Sequence, residues 1–259
     1  MGLVLHQTGS DGPAVVLIHG IPGSSGVWRD VEQALAPDHR VLVADLLGFG
    51  QSSRPAGAEE LWAERQAEAL AAALDAAGVT DACIVGHDFG GPVALALSRR
   101  RPELFRSLGL LATNAFPDTP VPLPIRAVRW PLIGHVAGGA LFSRPSLALM
   151  LRQGSSTPLN TDVYLGDSAQ RSAIATIFSH ALRNLAELYA PLGEALAEID
   201  VPVLVGWGDR DPFFPVEQGE RTAAAARQGR LVVYPGAGHF LPSERPGQVA
   251  GDIRALADA

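Results

Sequence analysis

The sequence predicts an α/β fold in which a mostly parallel central sheet, flanked by helices, is interrupted once by a helical insertion. Three observations predict it. Short runs rich in Val, Ile and Leu alternate with longer Ala/Leu-rich stretches, the pattern of βα units around a parallel sheet. The alternation stops at the proline-rich "FPDTPVPLP" (116–124) and resumes only at "VPVLVGWGD" (201–209). Residues capable of chemistry fall just beyond the carboxyl ends of the strands, where open α/β sheets bind ligands.

The elements follow in order. "LVLHQTG" (3–9) and "AVVLIHG" (14–20) are separated by the turn signal "SDGP", which predicts an antiparallel hairpin. "HRVLVADLLG" (39–48) is the next strand, and "EELWAERQAEALAAALDAAGV" (59–79) reads as one long amphipathic helix closed by Gly78. "DACIVGH" (81–87) is a strand, "FGGPVALALSRRRP" (89–102) a helix stopped by Pro102, and "RSLGLLATNA" (106–115) another strand. From about 117 to 198 helices and loops are expected, without a convincing strand. "GRLVVYPGAGH" (229–239) is the last strand and "QVAGDIRALADA" (248–259) the last helix. The expected division is a core of residues 1–116 and 199–259 with a helical cap of 117–198.

Composition narrows the function. The 259 residues are 47% hydrophobic and carry a net charge of −7, and a mean hydropathy of +0.16 describes a compact chain. An acidic balance gives no reason to expect nucleic acid or an anionic membrane as partner. A single cysteine, Cys83, excludes an internal disulfide and suits a reducing compartment, and its apolar surroundings "ACIVGH" suggest packing. No basic leader or long apolar span is evident, so a cytoplasmic protein is expected, as monomer or homodimer.

The chemistry centres on "IVGHDFGG" (84–91). The pattern G-x-S-x-G sets a serine on a sharp strand-to-helix turn. Here Gly86 and Gly90 hold the glycine positions and Asp88 stands where the serine would be. "HGIPGSS" (19–25) follows one strand, Asp209 and Asp211 another, and His239 the last. Each has an ordinary reading alone: Asp88 as a helix N-cap, Asp211 before Pro212 as turn chemistry, His239 as a loop residue. Their convergence at four strand ends favours a catalytic set.

On these motifs the chain resembles the α/β-hydrolase superfamily over essentially its full length. "HGIPG" matches the oxyanion loop, "GHDFGG" the nucleophile elbow, "GDRDPFFP" the acid loop and "GAGHFLPSERP" the histidine loop, while "DLLGFGQSSRP" matches a further loop of the superfamily. The acid-loop pattern assigns the acid to Asp211, four residues before Pro215. With Asp88 as nucleophile the sequence is similar to the branch of epoxide hydrolases and haloalkane dehalogenases. Chemistry accounts for the aspartate. Serine attacking a saturated carbon would leave an ether, whereas a carboxylate leaves an ester whose carbonyl belongs to the protein. His239, oriented by Asp211, could then activate water against that carbonyl, with the backbone N–H groups of Ile21 and Phe89 holding the oxyanion.

The resemblance also separates the two chemistries. Haloalkane dehalogenases hold the halide with N–H donors after the nucleophile and in the oxyanion loop or cap. Phe89 and Ile21 donate none from their side chains, and Trp130 in the cap is the remaining candidate. Fluoroacetate-type enzymes carry arginines after the nucleophile, where this chain has Phe89, Gly90, Gly91 and Pro92. Epoxide hydrolases of this fold usually use two cap tyrosines. This chain departs from that pattern, and the ring-opening donor candidates are His180, then Tyr164 and His135. Trp130, Phe142, Met150 and Phe178, with Leu141, Leu147 and Ile177, are expected to line an apolar pocket for a small apolar or aromatic substrate. The expected function is epoxide hydrolysis through an alkyl-Asp88 ester, without cofactor or metal. Halide displacement, ester or lactone hydrolysis, and ligand binding without turnover remain alternatives.

Overall fold

The computed structural model describes residues 2–9, 11–55, 57–121, 123–129 and 134–259. Seven strands form one sheet: β1 (Val4–Gly9), β2 (Ala14–Ile18), β3 (Arg40–Asp45), β4 (Ala82–His87), β5 (Phe105–Leu111), β6 (Val203–Gly208) and β7 (Gly229–Tyr234). Their order is β1-β3-β2-β4-β5-β6-β7, antiparallel only between β1 and β3.

The expected hairpin of the first two strands does not form. β1 instead pairs with β3, Val4 opposite Asp45 and Gly9 opposite Arg40. Val15–Ile18 of β2 are fully buried, as a continuous apolar run in a parallel sheet requires, and β2 takes parallel neighbours on both sides. β1 carries polar His6, Gln7 and Thr8 and is at least partly exposed throughout, which suits an edge. The burial demand of β2, rather than the turn signal, decided its partners.

Helices α1 (Arg29–Leu35), α2 (Ala58–Leu61), α3 (Ala63–Ala76) and α4 (Gly90–Arg100) connect the first strands. Between β5 and β6 lie α5 (Leu123–Arg126), α6 (Gly134–Leu141), α7 (Arg144–Gly154), α8 (Asp162–Leu165), α9 (Ser168–Arg183) and α10 (Leu185–Glu198), with no strand among the described residues there. α11 (Val216–Ala225), α12 (Leu241–Glu244) and α13 (Pro246–Ala257) complete the core.

The single helix expected over 59–79 is two. Trp62 is extended (φ −77°, ψ 165°) between α2 and α3, and its buried ring packs 5.4 Å from both Phe89 and Tyr189. A continuous helix would have fixed the tryptophan's direction by its periodicity; the break lets it turn into the site. The other end follows the sequence. Gly78 has φ 67°, its N–H bonds to Asp75 O at 3.0 Å, and Val79 N–H bonds to Leu74 O at 3.0 Å, closing α3 with a left-handed glycine. Cys83 is buried in β4 and its thiol pKa is pushed up to about 12 by burial, so it packs and does not react. Among the described residues no helix is long and apolar enough to cross a membrane.

Candidate active site

The β4–α4 turn places Asp88 above the sheet. Its φ of 50° lies in the left-handed region, a conformation that strains a non-glycine residue by about 1–3 kcal/mol. Glycines on either side make the turn possible. A Cβ on Gly90 would lie 2.4 Å from Ile18 O, and one on Gly86 would lie 2.3 Å from Gly90 O. The backbone is pinned as well: Asp88 N–H donates to Leu111 O at 3.0 Å, and the Thr113 hydroxyl donates to Asp88 O at 2.5 Å.

Asp88, His239 and Asp211 come together, as the sequence led us to expect. Ile21 N–H donates to Asp88 Oδ1 at 2.7 Å, while Asp88 Oδ2 lies 3.5 Å from His239 Nε2. His239 Nδ1–H donates to Asp211 Oδ2 at 2.8 Å. Asp211 Oδ1 accepts from Phe213 N–H at 2.8 Å and Phe214 N–H at 3.0 Å, so the acid is fixed by its own loop. Asp209 is turned elsewhere, accepting from Gly236 N–H at 2.7 Å.

These contacts set the charges. Burial alone would depress the His239 pKa, but the charge of Asp211 and its hydrogen bond, then the hydrogen bond and charge of Asp88, push it up to about 10. Burial would raise the Asp88 pKa, yet the hydrogen bond and charge of His239 and the Ile21 N–H hold it below the ordinary carboxylate range. At neutral pH an imidazolium therefore stands between two carboxylates.

Two buried histidines that sequence reasoning passed over support this set. His87 Nε2–H donates to His239 O at 2.9 Å. Burial, with the nearby charge of His239, lowers its pKa to about 4 and keeps it neutral. His19 Nδ1–H donates to Gly20 O at 2.9 Å, and His19 Nε2 accepts from Leu46 N–H at 3.1 Å, which fixes its tautomer. Their positions in "HGIPG" and "GHDFGG" were the available signal, and neither side chain lines the cavity.

A cavity of about 110 Å³ opens over Asp88 and His239. Trp62, Phe89, Met150, Ile177, Phe178 and Tyr189 form much of its wall. Met150, Ile177 and Phe178 thus stand where the sequence put them. Phe142 does not line this cavity; it is buried and stacks behind Phe178 at 5.1 Å. Leu141 and Leu147 do not line it either. Trp130 and the His135 side chain lie outside the described residues.

The two remaining donor candidates are misplaced. His180 does not line the cavity; its ring packs on Trp62 at 5.9 Å, with Asn184 beside it. Tyr164 is buried away from the cavity, its hydroxyl 2.6 Å from Ser243 Oγ and its ring 5.1 Å from Phe240. Counting residues could not settle which face of a helix turned inward. The donor in place is Tyr189 on α10, buried in the cavity wall. Its pKa is raised by burial and then by the charge of Asp88, so the phenol keeps its proton. Asn114 Oδ1 accepts from Phe116 N–H at 3.0 Å and from the Thr119 hydroxyl. The Asn114 side chain works against the rise in the Tyr189 pKa without cancelling it.

Comparison with known proteins agrees with this fold. Residues 13–246 match the family model described as alpha/beta hydrolase fold. The chain is 29% identical to 2-hydroxymuconate semialdehyde hydrolase of Pseudomonas sp. (strain CF600), over 98% of this chain and 91% of that protein. It is 28% identical to haloalkane dehalogenase 2 of Mycobacterium tuberculosis, over 93% of this chain and 87% of that one. In solved structures, a haloalkane dehalogenase from Bradyrhizobium elkani superposes with a TM-score of 0.81 at 22% identity, covering 99% of each chain, a likeness of fold alone. With a seven-stranded sheet of this order, an elbow at Asp88 and a model match over most of its length, the chain belongs to the α/β-hydrolase fold family.

Proposed function

We propose that this protein is a hydrolase that opens a small apolar or aromatic epoxide to a diol through a covalent ester on Asp88. The observation that carries the reading is an aspartate on the elbow, one oxygen already on Ile21 N–H and the other 3.5 Å from His239 Nε2, in a cavity that Asp88 and Tyr189 both line. The helices between β5 and β6 act as its cap.

Asp88 Oδ2 attacks a ring carbon, forming a C–O bond as the ring C–O bond breaks. The ring oxygen takes a proton from the Tyr189 hydroxyl. Esterification removes the Asp88 charge, so two of the contributions that raise the His239 pKa vanish. His239 then gives up its proton, which restores Tyr189 through solvent. Neutral His239 Nε2 takes a proton from water, and the hydroxide adds to the ester carbonyl. Ile21 N–H and Phe89 N–H hold the resulting oxyanion. Collapse expels the diol, protonated by His239, and the new carboxylic acid returns its proton to His239. One epoxide and one water become one diol, and the resting charges are restored.

A second reading, halide displacement by the same three residues, has one observation in its favour. Trp62 lines the cavity and its indole N–H is buried without a hydrogen-bond partner. A halide leaving group needs donors but no proton.

The test is a single turnover with protein in excess over styrene oxide or 1-bromobutane, in ¹⁸O-water. The covalent route puts label in the peptide carrying Asp88 and none in the new hydroxyl. His239→Gln should alkylate, gain the mass of one substrate and keep it. Diol formation selects the epoxide reading and bromide release the halide one. Label in the product with no adduct would sink both.

A further inference from the structure

The loop that carries His239 is gripped by a buried carboxylate that lies outside the triad. Glu244, at the end of α12, is only 6% exposed. Its Oε2 accepts from Gly238 N–H at 2.9 Å and its Oε1 from Phe240 N–H at 3.0 Å, the two peptide groups that flank His239. The same Oε2 accepts from Ser156 N–H at 2.8 Å and from the Ser156 hydroxyl at 2.5 Å, just beyond α7 in the inserted segment. His239 N–H itself donates to Gly154 O, the last residue of α7, at 2.8 Å. Three consecutive backbone N–H groups are thereby tied, the outer two to Glu244 and the middle one to α7.

The approach is close enough to demand glycine on both sides. A Cβ on Gly238 would lie 2.3 Å from Gly154 O, and one on Gly154 would lie 2.4 Å from the Phe213 ring. A buried carboxylate that spends four acceptor sites on one loop and one segment of the insertion fixes their relative position. From the opposite side His87 holds His239 O at 2.9 Å. The imidazole therefore hangs from a peptide restrained on every polar group.

We propose that Glu244 is a positioning residue for His239, locking the imidazole in register with the Asp88 carbonyl and linking that register to the seating of α7. The proposal rests on the covalent reading given above for its kinetic consequence, since only the second step uses His239 as a base. Glutamine is the informative replacement. Its amide nitrogen would direct N–H bonds at peptide N–H groups, so the flanking bonds cannot all be kept.

With styrene oxide as probe and protein in excess, Glu244→Gln should form the Asp88 ester within about threefold of the wild-type rate. Ester hydrolysis should slow about 10–100-fold, the scale of a small misplacement of a reacting group, and the adduct should persist. Equal losses in both steps, or none in either, would overturn the proposal. If that variant does not fold, Ser156→Ala carries the test. It keeps the carboxylate but removes one of its four bonds, and should slow hydrolysis several-fold with alkylation unchanged; identical rates for both steps would overturn the proposal. A second readout does not depend on turnover. The His239 ring followed by NMR should titrate at lower pH in Glu244→Gln, because an imidazole displaced from its two carboxylates loses their support. A folded variant whose His239 titrates as in the wild type refutes positioning. If neither the wild type nor His239→Gln forms an adduct, the covalent reading has failed, and the titration still decides the role of Glu244.

Discussion

Acid should weaken this fold through His87, and the loss can be estimated from its surroundings. His87 ends β4, is 3% exposed, and donates through Nε2 to His239 O. Its pKa falls from 6.5 to about 4, first because burial disfavours the cation and then because protonated His239 lies beside it. An unfolded chain binds the proton near the ordinary value, so the folded state loses ground as soon as pH drops below 6.5. The contribution is complete above that pH, declines by about 1.4 kcal/mol per unit, and is gone once pH has fallen through 4. The total is ~3 kcal/mol, a sizeable part of a typical folding free energy. His87→Gln keeps an N–H donor for His239 O and cannot titrate. Urea unfolding of both proteins at a series of pH values isolates the effect, because other titrating groups largely cancel in the difference. The wild type's advantage over the variant should shrink by ~3 kcal/mol across this window and then level off. A difference that stays constant with pH would refute the assignment of a neutral, buried His87.

Other perturbations separate the roles around the cavity. Tyr189→Phe should slow epoxide alkylation ~10²–10⁴-fold in single-turnover assays and leave ester hydrolysis almost unchanged, whereas His180→Phe should disturb neither step. Alkylation should persist as pH falls through the ordinary carboxylate range near ~4, because Asp88 is held ionised below it; stopped-quench rates that collapse already near pH ~6 would contradict this. Gly90→Ala should lower stability in chemical denaturation by about 1–3 kcal/mol or more, since its Cβ would meet Ile18 O at 2.4 Å.

The features legible in the sequence are those whose physics is local. An elbow needs glycine where a side chain would strike backbone, so Gly86 and Gly90 announced Asp88 before any neighbour was known. Gly78 announced the end of α3 for the same kind of reason. Asp211 and His239 were legible because strand ends collect on one edge of a parallel sheet. What stayed hidden depends on long-range packing. β1 chose β3 because β2 had to be buried on both sides. The donor in the insertion depended on how α9 and α10 rotate: α9 turns Ile177 and Phe178 toward the cavity, and α10 brings Tyr189 to it. Trp62 was hidden by a break within a helix-like stretch, and Glu244 because its partners are backbone N–H groups, one of them in the distant insertion.

Under the proposed covalent route, the charge arrangement gives a reason for aspartate that goes beyond the ester it would form. A serine nucleophile needs a neutral histidine from the outset, to remove its proton. Asp88 needs no base, so the first step can run while His239 is still a cation, as its raised pKa near 10 makes it at neutral pH. That cation in turn keeps Asp88 ionised in a cavity whose burial would otherwise protonate it. Alkylation would then cancel the carboxylate charge that helped hold the proton on His239, while the burial that opposes the cation would remain. The product of the first step would thus create the base for the second, with Asp211 alone left to orient it through the 2.8 Å bond to Nδ1. On that route the same geometry would have to serve both states, and the peptide carrying His239 is held by Glu244, Gly154 and His87.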